Sequence, residues 1–347
     1  MLKLLYVEEF FVAILRIMNY KPKVCLLMTP NLVDTLFNKQ ARDELNEICD
    51  VISWKPIQGT PSSDTDIVLA SWGSPKFDKV FLDTMPNLKM VAYAAGTIKK
   101  IVTDEFWEQD IKIIAAAAAN AIAVAEYTVS AMVFLAKNVR HAAKLYADDN
   151  KDNFLKLRDQ PVGFNGLNVG LIGASYVGRE VIRLLGSYNV KVAVYDPYLS
   201  LEEAEKLGVT KMELNELVSW ADVVSVHAPK LPETQNLLGR EQFQLMKDGS
   251  FFINTARGTI VDYEALAEIT PQKNIEVVID VTDPNEPLSA ESPLRKLDNV
   301  LITPHIAGSR GNEQQLMGTL AVEEIKRFIS GQPLRYQILQ KDLPRIA

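Results

Sequence analysis

Cysteine is nearly missing: the 347 residues hold only Cys25 and Cys49. Two thiols cannot build a disulfide framework, and these two show no metal-ligand spacing. Both are read as reduced core thiols of a cytoplasmic protein, with no metal. Dense Lys/Arg runs are absent and the net charge is −7. That argues against a nucleic-acid partner, because neutralising phosphates needs a basic face. Unbroken apolar runs are missing too. The opening MLKLLYVEEFFVAILRIMNY is interrupted by Glu8, Glu9 and Arg16 and lacks a small-residue cleavage site. It reads as an amphipathic helix rather than a signal peptide, with a natural start at Met18 as the other reading. Residues 113–135 are Ala-rich but broken by Asn120, Glu126, Thr128 and Ser130. A bilayer-spanning helix needs about twenty nearly uncharged residues, so this stretch reads as a strand feeding a buried helix, and no membrane partner is expected.

What is present is an ordinary globular composition, 48% apolar and 23% charged, in a chain long enough for two domains. Short β-branched runs alternate with helical patterns from end to end, as in parallel α/β domains. KVCLLM, DVISW, DIVLAS, KMVAYAA and IKIIAA read as strands in the first third. NVGLIG, VKVAVYD, DVVSVHA, SFFINTA, IEVVIDV and VLITPH do so in the second half. Most are apolar throughout, the pattern of strands covered on both faces. A helix over roughly 121–146 separates the two sets, and another over about 312–330 follows the last strand and could pack back on the first domain.

The most informative segment is GLNVGLIGASYVGREVIRLLGSYNVKVAVYD. A strand ends in Gly173, Ala174, Ser175, Tyr176, Val177 and Gly178, a helix follows, and a second strand ends in Asp196. Gly173 permits a sharp turn, Gly178 permits close helix–strand packing, and the helix N-terminus offers N–H groups to a pyrophosphate. Ser175 replaces the middle glycine of the usual motif; it crowds the approach slightly, but its hydroxyl could donate to a phosphate oxygen. A tight strand-to-helix turn needs glycine even without a ligand. The strand before, the helix after and the acid about 20 residues on make the dinucleotide reading the better one. Asp196 suits ribose hydroxyls and repels a 2′-phosphate, which favours NAD.

Further candidates stand at strand ends. Thr255, Ala256, Arg257 and Gly258 follow one strand, Asp280 and Glu286 follow the next, and His305 follows the last. Arg257 offers a fork of donors to a carboxylate and a carbonyl oxygen. His305 can move a proton, and Glu286, if paired with it, would favour the imidazolium. Arg257 alone would more often be a surface residue, and His305 alone is ambiguous; their joint placement after a nucleotide motif decides for function. His141, among Lys and Arg on a helix, reads as surface, and His227 as shaping the adenine side of the site.

Taken in order, VGLIGASYVGREV, VHAPKLPETQNLLG, INTARGTIVDYEAL, DVTDPNEPL and TPHIAG resemble the D-isomer-specific 2-hydroxyacid dehydrogenase family, over nearly the whole chain from about Lys23. The resemblance implies a Rossmann NAD-binding domain (121–306) inserted into a discontinuous flavodoxin-like substrate domain (1–120 and 307–347), with catalysis in the cleft between them. It implies that Arg257 binds substrate, that His305 is the acid/base with Glu286 its partner, and that Asp280 holds the nicotinamide carboxamide. Pro229 and Thr234 would line the nucleotide site. A homodimer built around the cofactor domain is the usual family state. Gly96 and Thr97 fall where the family holds the substrate carboxylate, and Trp72 lies on another loop expected to face the cleft. Lys99 and Lys100 replace the acidic residue common there; they read as surface lysines before they read as phosphate ligands.

The expected activity is therefore hydride transfer between NAD(H) and a small D-2-hydroxy acid or 2-keto acid of the glyoxylate, hydroxypyruvate, pyruvate or phosphoglycerate type. Two alternatives stay open: an NAD-sensing regulatory protein of corepressor type, and a formate- or phosphite-type dehydrogenase on the same scaffold.

Overall fold

The computed structural model describes residues 20–57, 59–147, 152, 155 and 163–346. The amphipathic helix read over the first residues, and a start at Met18, lie outside them. The chain divides into two compact units: residues through Asn120 with Ser309–Ile346, and Ala121–Gly308.

The first unit is built on a parallel sheet of β1 (Lys23–Leu27), β2 (Asp50–Val51), β3 (Ile67–Ala70), β4 (Met90–Tyr93) and β5 (Lys112–Ala115). Their order, β2-β1-β3-β4-β5, is flavodoxin-like. The strands lack polar alternation because both faces are covered. Val24, Leu26, Ile67, Leu69, Met90 and Ala92 point into one core. Cys25, Leu27, Val68, Ala70, Val91 and Tyr93 point the opposite way, onto Phe77 and Phe106. The tail helix Gln314–Ile329 contributes Met317, Leu320, Ala321 and Ile325 to the first core. At Gly318 its backbone runs so close to the chain that an added Cβ would lie 1.9 Å from the Leu36 carbonyl oxygen. The buried carboxylate of Glu324 then accepts hydrogen bonds from the backbone N–H groups of Arg335 and Tyr336, at 2.9 and 3.1 Å.

The second unit holds seven parallel strands: β6 (Asn168–Ile172), β7 (Lys191–Tyr195), β8 (Thr210–Lys211), β9 (Val223–Val226), β10 (Phe251–Asn254), β11 (Glu276–Ile279) and β12 (Val300–Ile302). They run in the order β12-β11-β10-β9-β6-β7-β8. The order reverses between β6 and β9, and ligands of open α/β sheets bind beside such a switch point. The connecting helix Ala117–Ala136 starts in the first unit, where Ala119 joins its core, and continues into the second. There Ala125, Val129, Met132 and Leu135 pack with Leu171, Val194 and Ile253. By length and composition this helix could cross a membrane, but half of its apolar window is buried inside the protein.

Three local expectations need correction. The single helix read over 121–146 is two, because Asn138 adopts φ 49 and breaks it before Val139–Tyr146; asparagine tolerates the left-handed region better than most residues. The strand read from DVISW pairs only at Asp50 and Val51. It is an edge strand, and Trp54 turns away to meet the Phe37 ring at 5.7 Å and the Arg42 guanidinium at 5.2 Å. The two-residue strand β8 was not foreseen. Where the chain passes between the units, the Asn120 side chain accepts the Ser309 N–H at 2.9 Å, so the outgoing and returning segments are hydrogen-bonded to each other.

Candidate active site

The turn after β6 is shaped by two glycines that no other residue could replace without movement. Gly173 has φ +103, and a Cβ there would stand 2.7 Å from the Ala228 nitrogen. A Cβ on Gly178 would meet the Gly173 carbonyl oxygen at 2.2 Å. Ser175 caps the following helix, Tyr176–Leu185, accepting from the Gly178 N–H. Its own hydrogen goes to the His227 carbonyl at 2.8 Å, so the hydroxyl expected to meet a phosphate is turned into the fold. Tyr176 and Val177 form the first turn of that helix, where N–H groups face outward and favour an anion. Asp196, directly after β7, accepts from Ala174 N–H at 2.7 Å and Tyr198 N–H at 2.8 Å.

Beyond β9, His227 is buried, with Nε2 3.0 Å from the Ser225 hydroxyl and, among the described residues, no hydrogen-bond partner for Nδ1. Burial alone pushes its imidazole down to about 3. Thr234 organises the next loop by donating to the Pro229 carbonyl at 2.7 Å and accepting from Leu231 N–H at 2.9 Å.

Arg257, Glu286 and His305 follow three neighbouring strands, β10, β11 and β12. Asn254, which sequence reasoning passed over, shapes the first of these loops. Its side chain donates to the Arg257 carbonyl and accepts from Ala256 N–H, both at 3.0 Å. The Arg257 guanidinium donates to the Ala256 carbonyl at 2.7 Å; burial lowers its pKa, and the Glu286 carboxylate partly offsets that. Gly258 lets this loop lie against the next one, since a Cβ would sit 2.3 Å from the Thr282 carbonyl.

His305 Nδ1 lies 3.0 Å from Glu286 Oε2. The pairing leaves Nε2 as the ring nitrogen for exchange with a ligand. His305 itself is left-handed, at φ 54, a conformation costing a non-glycine residue about 1–3 kcal/mol. Asp280 holds it there. The buried Asp280 carboxylate accepts from Ile306 and Ala307 N–H, both at 2.8 Å, and its backbone carbonyl accepts from His305 N–H at 2.9 Å. Asp280 also accepts the Thr303 hydroxyl at 2.6 Å, and Thr303 in turn meets the Tyr127 hydroxyl at 2.8 Å. In the sequence Thr303 stands out only as the first residue of TPHIAG, and Tyr127 carries no signal of its own.

Trp72, Gly96 and Thr97 belong to the first unit, at the ends of the neighbouring strands β3 and β4. Trp72 is 40% exposed, and its carbonyl accepts from Thr29 N–H at 2.8 Å. Among the described residues other than its chain neighbours, nothing lies within 4 Å of where a Gly96 Cβ would stand. The Thr97 hydroxyl accepts the Lys99 N–H at 3.4 Å.

These features define an α/β nucleotide-binding enzyme scaffold with titratable groups gathered at its strand ends. Residues 129–307, just over half of the chain, match the model of the D-isomer specific 2-hydroxyacid dehydrogenase, NAD binding domain, and the chain belongs to that family; its cofactor is NAD. It is 33% identical over 272 residues to a D-3-phosphoglycerate dehydrogenase of Archaeoglobus fulgidus, covering 78% of this chain and 50% of that one. It is 29% identical to a glyoxylate reductase of Thermofilum pendens, covering 83% and 88%. A phosphoglycerate oxidoreductase from Rhizobium etli has the same fold, with TM-score 0.78 at 22% identity over 91% of this chain and 97% of that one. The chain spans about half the length of the phosphoglycerate dehydrogenases it matches, 50% and 53% of two archaeal ones.

Proposed function

We propose that the protein is an NAD-dependent oxidoreductase interconverting a small D-2-hydroxy acid and its 2-keto acid. The observation that carries this is the His305–Glu286 pair at 3.0 Å, one strand end away from Arg257. The residues fit NAD. The Gly173–Gly178 turn is a cradle that a Cβ would fill, Tyr176 and Val177 open a helix N-terminus, and Asp196 is an acceptor at the next strand end without a basic neighbour at Pro197 or Tyr198. Ser175, His227, Pro229 and Thr234, with Thr255, Ala256 and Asp280, complete the set of residues proposed for the cofactor site.

When bound, NAD(H) gives or takes the hydride. Arg257 binds the substrate carboxylate and polarises its carbonyl. Nε2 of His305 donates a proton to the carbonyl oxygen in reduction and removes it in oxidation, and Glu286 fixes the ring through Nδ1. Gly96, Thr97 and Trp72 are the first unit's residues proposed for substrate binding. Glyoxylate is the preferred candidate, since the glyoxylate reductase is matched over most of its own length. The phosphoglycerate dehydrogenase relatives make phosphohydroxypyruvate the competing substrate, with Lys99 and Lys100 the residues to test against its phosphate. The exposed apolar side chains Phe134, Val139 and Tyr146 support a homodimer, and the free thiols Cys25 and Cys49 support a cytoplasmic location.

NADH oxidation by the purified protein with glyoxylate, hydroxypyruvate, pyruvate and phosphohydroxypyruvate tests the proposal. The expected result is turnover of one acid above the rest, reduced by about 100-fold or more in His305→Ala. NADH binding without turnover of any acid would sink it.

A further inference from the structure

Two adjacent residues of the connecting helix each reach a different strand end of the second unit. Thr128 meets the Thr255 hydroxyl at 3.0 Å, on the loop carrying Arg257, and both groups are buried. Tyr127 meets the Thr303 hydroxyl at 2.8 Å, on the loop carrying His305. The direction of each bond follows from counting hydrogens. A hydroxyl has one to give. Thr303 gives its hydrogen to Asp280 at 2.6 Å, so Tyr127 is the donor to Thr303. Thr128 gives its hydrogen to the Val124 carbonyl at 2.7 Å, so Thr255 is the donor to Thr128.

The Tyr127 bond therefore opens a one-way chain. It runs from Tyr127 to Thr303 to the Asp280 carboxylate, which also gathers the N–H groups of Ile306 and Ala307 beside the left-handed His305. Burial raises the pKa of the Tyr127 phenol, which keeps it a donor throughout the neutral range. Asp280 is thus tied to the loop on both carboxylate oxygens and through its backbone.

We propose that Tyr127 and Thr128 are positioning residues: one helix turn sets the His305 loop through Thr303 and Asp280, and the Arg257 loop through Thr255. Neither touches substrate. This rests on the reading of His305 and Arg257 as the reacting and substrate-binding groups. Because the two arms end on different groups, they separate kinetically. Loss of the Tyr127 arm displaces the proton carrier and lowers kcat. Loss of the Thr128 arm displaces the carboxylate-binding arginine and raises KM for the keto acid.

The test uses Tyr127→Phe, Thr303→Val, Thr303→Ser and Thr128→Val in the full chain. Tyr127→Phe and Thr303→Val should lower kcat by about tenfold with KM for NADH unchanged, Thr303→Ser should restore it, and Thr128→Val should raise keto-acid KM by a similar factor. An activity-independent readout accompanies this. The chain has three histidines, so the His305 ring signals can be assigned in a proton NMR spectrum by their loss in His305→Ala. They should move in Tyr127→Phe and Thr303→Val, return in Thr303→Ser, and stay in place in Thr128→Val. His305 signals that superimpose on wild type in both Tyr127→Phe and Thr303→Val would overturn the proposal. A wild-type protein that turns over no keto acid, or a fully active His305→Ala, would instead overturn the functional reading, and the spectra would still decide the positioning.

Discussion

At the scale of single residues, the strand-end groups are the ones the sequence announces. Gly173, Arg257 and His305 each follow an apolar run closely, and an abrupt change from apolar to Gly, Arg or His is visible in one dimension. The residues that hold them are not. Asn254, Thr303 and Tyr127 are uncharged, common in loops and helices, and acquire their roles only through distances of 2.6–3.3 Å, Asn254 to residues three and nine positions on and Thr303 and Tyr127 to partners much farther along the chain. His227 belongs between these classes: its place at a strand end was readable, but its complete burial was not. That burial has a consequence for acid stability. The unfolded ring takes up a proton near pH 6.5, and the folded one only near 3. Its contribution is fully present above pH 6.5 and is lost as pH falls toward 3, at about 1 kcal/mol per pH unit. Between pH 7 and 5, urea unfolding should show the wild type losing about 2 kcal/mol more than His227→Asn. Equal losses would mean that the ring is protonated within the fold.

Elements were readable where periodicity was strong. The tail helix expected over about 312–330 is Gln314–Ile329. Boundaries failed where tertiary contacts decide them, as at Asn138, where a left-handed residue divides an otherwise continuous apolar pattern, and at β2, whose length is limited by its position on the sheet edge. Gly318 illustrates the same limit. In an isolated helix, glycine to alanine stabilises by about 1 kcal/mol. Here the new methyl would be driven into the Leu36 carbonyl oxygen, a backbone atom that cannot rotate aside. Gly318→Ala should therefore destabilise the protein by about 1–3 kcal/mol, read as a lower urea midpoint. An unchanged or higher midpoint would show that the helix can slide to make room.

For the whole molecule, alternating strand and helix signals were enough to give a parallel α/β architecture, because strands covered on both faces lose their polar alternation. The strand orders came only with the resemblance to a known family, since a crossover leaves no mark on the residues it joins. A chain ending at Gly308 separates the two units. It retains β6 to β12 but lacks Met317, Leu320 and Ile325 from the first core. It should bind NADH, seen as enhanced nicotinamide fluorescence, while its first unit is cut by low protease concentrations that spare the full chain. Loss of NADH binding in that truncation would mean that the second unit does not stand alone. The Asn120–Ser309 hydrogen bond gives this division a temporal meaning. The chain leaves the first unit and returns to the same spot, so the intervening stretch is, topologically, a loop whose ends already meet. In chain order, every strand of the second unit is made before the tail helix. The host therefore cannot gain its closing helix until the whole guest has been strung between its two parts.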